Sequence, residues 1–214
     1  MSNSFLEVNL DNISYNIKQI KNFVGDKVEV MPVVKANAYG LGASKLKDVL
    51  EENEINKLAV AIVDEAITLR KEDFNMDIIV LNELLEEEAK EIVEYNLTPG
   101  ISVYELAEKI NYYSKEKNVI TNVHIEVDTG MGRVGLKPNE VLAFVKNVTS
   151  KLTNLKIEGI YTHFSSADSS EEYTLEQIQK FEDVQKNLKD NGFSFRYMHA
   201  SASRRYIKVC SSTL

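Results

Sequence analysis

Apolar residues recur along this chain in two alternating rhythms. Leu10, Ile13, Ile17, Ile20 and Val24 fall three or four apart, which predicts an amphipathic helix with Asp11 placed to cap its start. Short apolar runs at 28–34, 58–63, 78–81, 99–103, 123–127, 157–162 and 195–200 each read as a strand. The stretches between them, 44–54, 64–72, 84–96, 105–117, 138–150 and 170–191, carry charge on one face and aliphatics at spacings of three and four. That is the pattern of helices that lay one face against a sheet. Pro138 opens one of these helices and Gly192 closes another.

Strands that alternate with helices imply βα units and a parallel sheet, either a barrel or a doubly wound open sheet. The barrel is preferred because distinctive polar residues follow strand after strand. Lys35 ends the first, Asp128 to Arg133 follow the fifth, His163 ends the sixth, and His199 with Ser203 ends the seventh. In a parallel barrel those points share one rim, the carboxyl rim, where catalytic groups gather from several strands. The count does not close, because residues 201–214 are too few for a crossover helix and an eighth strand. The expected fold is therefore α/β, a (β/α)8 TIM-type barrel that is incomplete, with about seven βα units. Residues 1–214 read as one domain, with no linker rich in Pro, Gly or Ser. The acidic stretch from Glu83 to Glu91 reads as a solvated helix face.

Composition narrows the function classes. A net charge of −8 argues against a nucleic-acid partner, which calls for a basic stripe. Cys210 is the only cysteine, so no disulfide framework or cysteine zinc site is expected, and the compartment reads as reducing and cytoplasmic. No apolar stretch is long enough to span a bilayer, and the N-terminus lacks the basic flank and apolar core of a signal peptide.

The sharpest chemical candidate is Lys35, where the apolar run ends and a loop of small residues, Ala36-Asn-Ala-Tyr-Gly40, begins. An amine at the edge of low dielectric suits imine formation with a carbonyl or with pyridoxal phosphate, whereas the plain alternative is a strand-end lysine that snorkels to water. Gly130-Met-Gly-Arg-Val-Gly135 matches the dinucleotide fingerprint, with Glu158 near the acidic position. The match is rejected, because a phosphate-binding helix must open within the glycines and here Leu136 and Lys137 intervene before Pro138. Those glycines instead let the chain turn tightly so that Arg133 points into the mouth. His124, His163 and His199 show no metal-ligand spacing, so no metal is expected; His124 reads as structural, and His163 either stacks on a flat cofactor or sits in the core.

Together these residues resemble the alanine racemases, pyridoxal-phosphate enzymes with a barrel and a C-terminal β-domain. The resemblance rests on Leu6-Glu-Val-Asn-Leu-Asp-Asn-Ile13, Val33-Val-Lys-Ala-Asn-Ala-Tyr-Gly40, Val127-Asp-Thr-Gly-Met-Gly-Arg-Val-Gly135 and Thr162-His-Phe164 with Asp168. It implies interconversion of L- and D-alanine to supply D-alanine for peptidoglycan, with pyridoxal 5'-phosphate as cofactor, alanine as substrate and a homodimer as the assembly. Under it Lys35 condenses with the cofactor aldehyde and then acts as one base, Tyr39 and Ser203 reach the phosphate, Arg133 contacts the phenolic oxygen, and His163 lies against the ring. Asp128 would hold the loop. At the position of Glu126 many members carry a lysine that becomes carbamylated; a glutamate provides a carboxylate directly and is expected to hold Arg133.

The tail Arg204-Arg-Tyr-Ile-Lys-Val-Cys-Ser-Ser-Thr-Leu214 is unlike the family's continuation. It reads as a divergent end, from truncation, a frameshift or a fragment, so that activity of this chain alone is expected to be impaired. The alternative from another class is a non-catalytic, single-domain pyridoxal-phosphate-binding protein. A remnant that binds no ligand is the third reading.

Overall fold

A computed structural model describes residues 5–200. Contacts divide the chain into two compact units, Met1–Leu81 and Asn82–Leu214.

In the first unit, α1 (Leu10–Val24) is capped by Asn9, whose side chain accepts the Asn12 N–H at 3.0 Å. Asp11, expected as the cap, lies in the first turn, where its charge suits the positive end of the helix. Gly25 at φ 78° ends α1 in a conformation that L side chains rarely adopt. Ile17 is the buried residue of α1, and Asn53 beyond α3 (Lys47–Glu52) donates to Ser14 Oγ at 2.9 Å. Strand β1 (Lys57–Val60) is buried throughout and pairs in parallel with β2 (Asp77–Val80), Leu58 opposite Ile78 and Val60 opposite Val80. Between them, α4 (Val63–Lys71) buries Val63, Ala66, Ile67 and Leu69.

The strand expected at 28–34 is not formed. Pro32 has no N–H to give to a ladder, and the segment meets β1 only through a bridge from Val33 to Ala59. Val34 N–H donates to the Ala59 carbonyl at 2.8 Å, and Ala59 N–H to the Pro32 carbonyl at 2.9 Å. The described residues therefore hold six strands and one bridging segment, where seven strands were expected.

In the second unit, α5 (Ala89–Glu94) precedes four parallel strands that pair in chain order: β3 (Thr98–Ile101), β4 (Thr121–Val127), β5 (Leu155–Thr162) and β6 (Tyr197–Ala200). Helices α6 (Tyr104–Glu116), α7 (Val141–Lys151) and α8 (Glu171–Asp190) supply the crossovers. An order that never reverses is singly wound; a doubly wound sheet would reverse at a switch point. Pro138 lies in a turn, and α7 starts at Val141, later than expected.

Register divides the side chains of this sheet. Ile101, Ile125, Ile160 and Met198 share one face, and His124, Gly159 and Tyr197 share the other, followed by Glu126, Tyr161 and His199. The alternation is interrupted once. Val123 pairs with Ile157, yet His124 pairs with Gly159, so Glu158 is an extra residue in β5, a β-bulge.

Candidate active site

Lys35 follows the bridging segment and opens α2 (Lys35–Tyr39), a single left-handed turn in which Ala36, Asn37, Ala38 and Tyr39 have φ between 50° and 55°. L-residues disfavour that conformation by about 1–2 kcal/mol each, so the turn needs outside support. Asn37 Oδ1 accepts the Ala43 N–H at 2.8 Å, and Gly42 N–H returns to the Asn37 carbonyl at 2.9 Å. The first amide of the turn is held from α4. Glu65 Oε1 accepts the Ala36 N–H at 2.6 Å, while Oε2 accepts the Ala61 N–H at 2.9 Å. One carboxylate thus joins the residue after Lys35 to the turn that leaves β1. Lys35 itself is half-buried, and among the described residues its amine enters no ion pair. Tyr39 is 65 % exposed. Glu65 was missed in the sequence, although its place in the first turn of a helix was the available signal.

In the second unit, the residues from Asp128 to Gly135 form a loop that leaves β4 and returns beside it. Asp128 N–H donates to the Leu136 carbonyl and Leu136 N–H to the Glu126 carbonyl, both at 2.9 Å. Asp128 Oδ1 accepts the Gly130 and Gly132 N–H groups, each at 3.0 Å. A bound phosphate would need those same amides, which is a structural reason for the glycine pattern not to hold a dinucleotide. Arg133 stands exposed at the tip. His163 follows the end of the neighbouring strand β5, half-buried, and Thr129 and Thr162 hydroxyls meet at 2.8 Å between the two strand ends.

Glu126 lies inside the sheet, 4 % exposed, and its Oε2 accepts the Tyr161 hydroxyl at 2.8 Å. Burial pushes its carboxyl up from the usual range, opposed by the Tyr161 hydrogen bond and the positive charge of Arg133. Among the described residues it makes no ion pair with Arg133, so the two act on each other through the field alone. Tyr161 is pushed well up by its own burial and by the Glu126 carboxylate. The His199 ring stacks on Tyr161 at 4.7 Å, with 7° between planes, and His199 Nε2 meets His124 Nδ1 at 2.8 Å. Burial lowers His199 from 6.5 to about 4, so its imidazole is neutral at pH 7. Ser203 lies outside the described residues.

The structure therefore brings Glu126, Asp128, Arg133 and His163 to neighbouring strand ends of the second unit, and Lys35 and Tyr39 to one turn of the first. Among the described residues no group of His, Cys, Asp and Glu is arranged to hold a metal ion, and no helix is long and apolar enough to cross a membrane. Parallel strands in chain order, with these side chains at their carboxyl ends, define an α/β protein of the (β/α)8 TIM-barrel class, in incomplete form. Residues 8–212 match the family described as "Alanine racemase, N-terminal domain". The chain belongs to that family.

Among its relatives, it is 40 % identical over 205 residues to the alanine racemase of Halothermothrix orenii, covering 95 % of this chain and 54 % of the relative. It is 43 % identical over 193 residues to that of Clostridium kluyveri, covering 86 % and 49 %. The chain spans about half the length of the curated relatives it matches. A solved alanine racemase of Clostridium difficile superposes with a TM-score of 0.90 at 32 % identity, covering 94 % of this chain and 53 % of that one. A histidine racemase from Leuconostoc mesenteroides superposes with a TM-score of 0.80 at 26 % identity, covering 90 % and 51 %.

Proposed function

We propose that this chain is the coenzyme-holding half of a pyridoxal-phosphate-dependent alanine racemase, cytoplasmic, acting on L- and D-alanine and supplying D-alanine for the cell wall. The observation that carries the reading is Lys35. Its amine is free of ion pairs among the described residues, and the backbone beside it is fixed by the Ala36–Glu65 hydrogen bond of 2.6 Å. By residue type alone, the Arg133 guanidinium suits a phenolate oxygen, the Tyr39 and Ser203 hydroxyls suit a phosphate, and the His163 imidazole suits a flat ring. When bound, the pyridoxal ring delocalises the charge left on the substrate carbon as its proton departs.

This chain's own contribution is to bind, orient and exchange one proton. Lys35 Nζ takes or returns the α-proton on one face, and Asp128 and Glu126 keep Arg133 in place, the first through the loop backbone and the second through its charge. Racemisation needs proton exchange from both faces. Within these 214 residues one base is assigned, so the polypeptide by itself is expected to turn over poorly; the opposite base is assigned to a segment beyond them, contributed across a homodimer by the partner subunit. A racemase for histidine shares this half of the fold, so the choice among amino acids is assigned to residues beyond it.

The test is to incubate the chain with pyridoxal phosphate, reduce with borohydride and locate the modified lysine by mass spectrometry, with D-alanine and D-serine formation followed in parallel. Label on Lys35 with D-alanine formed, however slowly, supports the reading, and label with no turnover at all marks a coenzyme carrier. A chain that takes no label at Lys35 overturns it.

A further inference from the structure

Helix α8 carries a buried amide that the proposed chemistry does not use. Gln177 is 0 % exposed, with its side chain reaching the two strand ends that present Arg133 and His163. Its Nε2 donates to Thr129 Oγ1 at 3.2 Å and to the His163 carbonyl at 3.3 Å, and its Oε1 accepts the Ser165 N–H at 3.1 Å. One turn earlier, the Tyr173 hydroxyl donates to the Gly130 carbonyl at 2.6 Å. Gly130 is fitted to this contact. With φ at 143°, a Cβ added there would lie 2.5 Å from Tyr173 Oη and 3.6 Å from Gln177 Cγ. The loop therefore rests on α8 through a position where a side chain would displace the Tyr173 hydroxyl.

We propose that Gln177 and Tyr173 are positioning residues that clamp the Arg133 loop and the His163 segment to one helix, fixing the two groups relative to each other before any ligand arrives. Preorganisation of this kind requires the supporting shell to be locked by its own packing and hydrogen bonds, and a fully buried glutamine with four backbone or hydroxyl partners meets that requirement. Tyr173 acts on the Arg133 side alone, whereas Gln177 acts on both sides. The clamp itself is a property of the fold. Its bearing on catalysis rests on the reading that Arg133 and His163 hold the coenzyme.

The asymmetry gives the test. Amide hydrogen exchange, read by mass spectrometry on the full chain without coenzyme, is compared among the wild type, Tyr173→Phe, Gln177→Glu and Gln177→Leu. Tyr173→Phe, which keeps the ring, is expected to speed exchange in 128–136 about tenfold and leave 163–169 unchanged. Gln177→Leu is expected to speed both segments. Gln177→Glu, which retains an acceptor for the Ser165 N–H, is expected to spare the second segment in part. Unchanged exchange at 128–136 in Tyr173→Phe overturns the clamp, as does a uniform rise across β4, β5 and α8 in both Tyr173→Phe and Gln177→Glu, which would mark a merely structural role. Borohydride labelling at Lys35, run on the wild type, judges the coenzyme reading separately; its failure would leave the exchange result standing.

Discussion

The Tyr161 hydroxyl donates to the carboxylate of Glu126 at 2.8 Å, joining β5 to β4 between two side chains each 4 % exposed. A buried carboxylate with one strong donor depends on that donor. Tyr161→Phe is expected to destabilise the fold by about 1.5–3 kcal/mol at pH 7, and to push the Glu126 carboxyl further up. Urea unfolding at pH 7 gives the first effect.

Burial raises Glu126 above its ordinary 4.5, so the native state binds its proton more readily than the unfolded chain does. The contribution to stability is then greatest below the ordinary value and falls as pH rises through the elevated one. Glu126→Gln removes this dependence. Subtracting its stability profile from that of the wild type, measured from pH 4 upward, should give a difference that declines with pH; a flat difference would contradict the raised carboxyl.

His199 has the opposite sign. Its imidazole titrates near 4 in the folded protein and at 6.5 when free of the fold, so its contribution is fully present above 6.5 and is lost as pH falls towards 4. The loss follows from charging a ring that stacks on Tyr161 and bonds to His124. His199→Gln should flatten the wild-type stability curve between pH 6.5 and 4, as read by thermal melting at closely spaced pH values.

Gly159 faces the His124 imidazole, and a Cβ built there would lie 2.7 Å from its Cε1. Gly159→Ala forces the ring away from His199, and overpacking of this kind costs about 1–3 kcal/mol. Chemical denaturation should show the loss, and nuclear magnetic resonance of the two imidazoles should show their hydrogen bond broken.

Glu65 supports the strained turn after Lys35. Glu65→Gln keeps one acceptor and loses the other, so either Ala36 or the Ala61 turn loses its partner. The expected cost is about 1–3 kcal/mol, with faster hydrogen exchange in 35–40 and weaker borohydride labelling of Lys35.

The sequence was most legible where one period ran long. The helices over 105–117 and 170–191 differ from α6 and α8 by a residue at each end, and the chain-order strands follow from their even spacing. Lys35 and Arg133 stood out because an apolar run or a glycine cluster framed them. Less could be read at 28–34, where the apolar pattern is that of a strand and Pro32 removes the donor that a ladder needs. Glu65, Tyr173 and Gln177 could not be singled out, because each works by reaching a backbone group that is distant in sequence or on another element. Burial of Glu126 follows from β4 being covered on both faces, which composition does not reveal.

Glu158 is not a partner in the Glu126–Tyr161 hydrogen bond, yet that bond depends on its being left out of the ladder. Ile157 and Ile160 share a face although they are three residues apart, because the bulged residue resets the phase of β5 midway. Were that residue paired in the ladder instead of bulged out of it, an uninterrupted zigzag would swing the Tyr161 phenol over to the isoleucines and leave the acid of β4 without a donor. The strand thus carries two stretches of opposite phase, one on each side of the offset, and a single bulged glutamate keeps the greasy face greasy and the protic face protic through both.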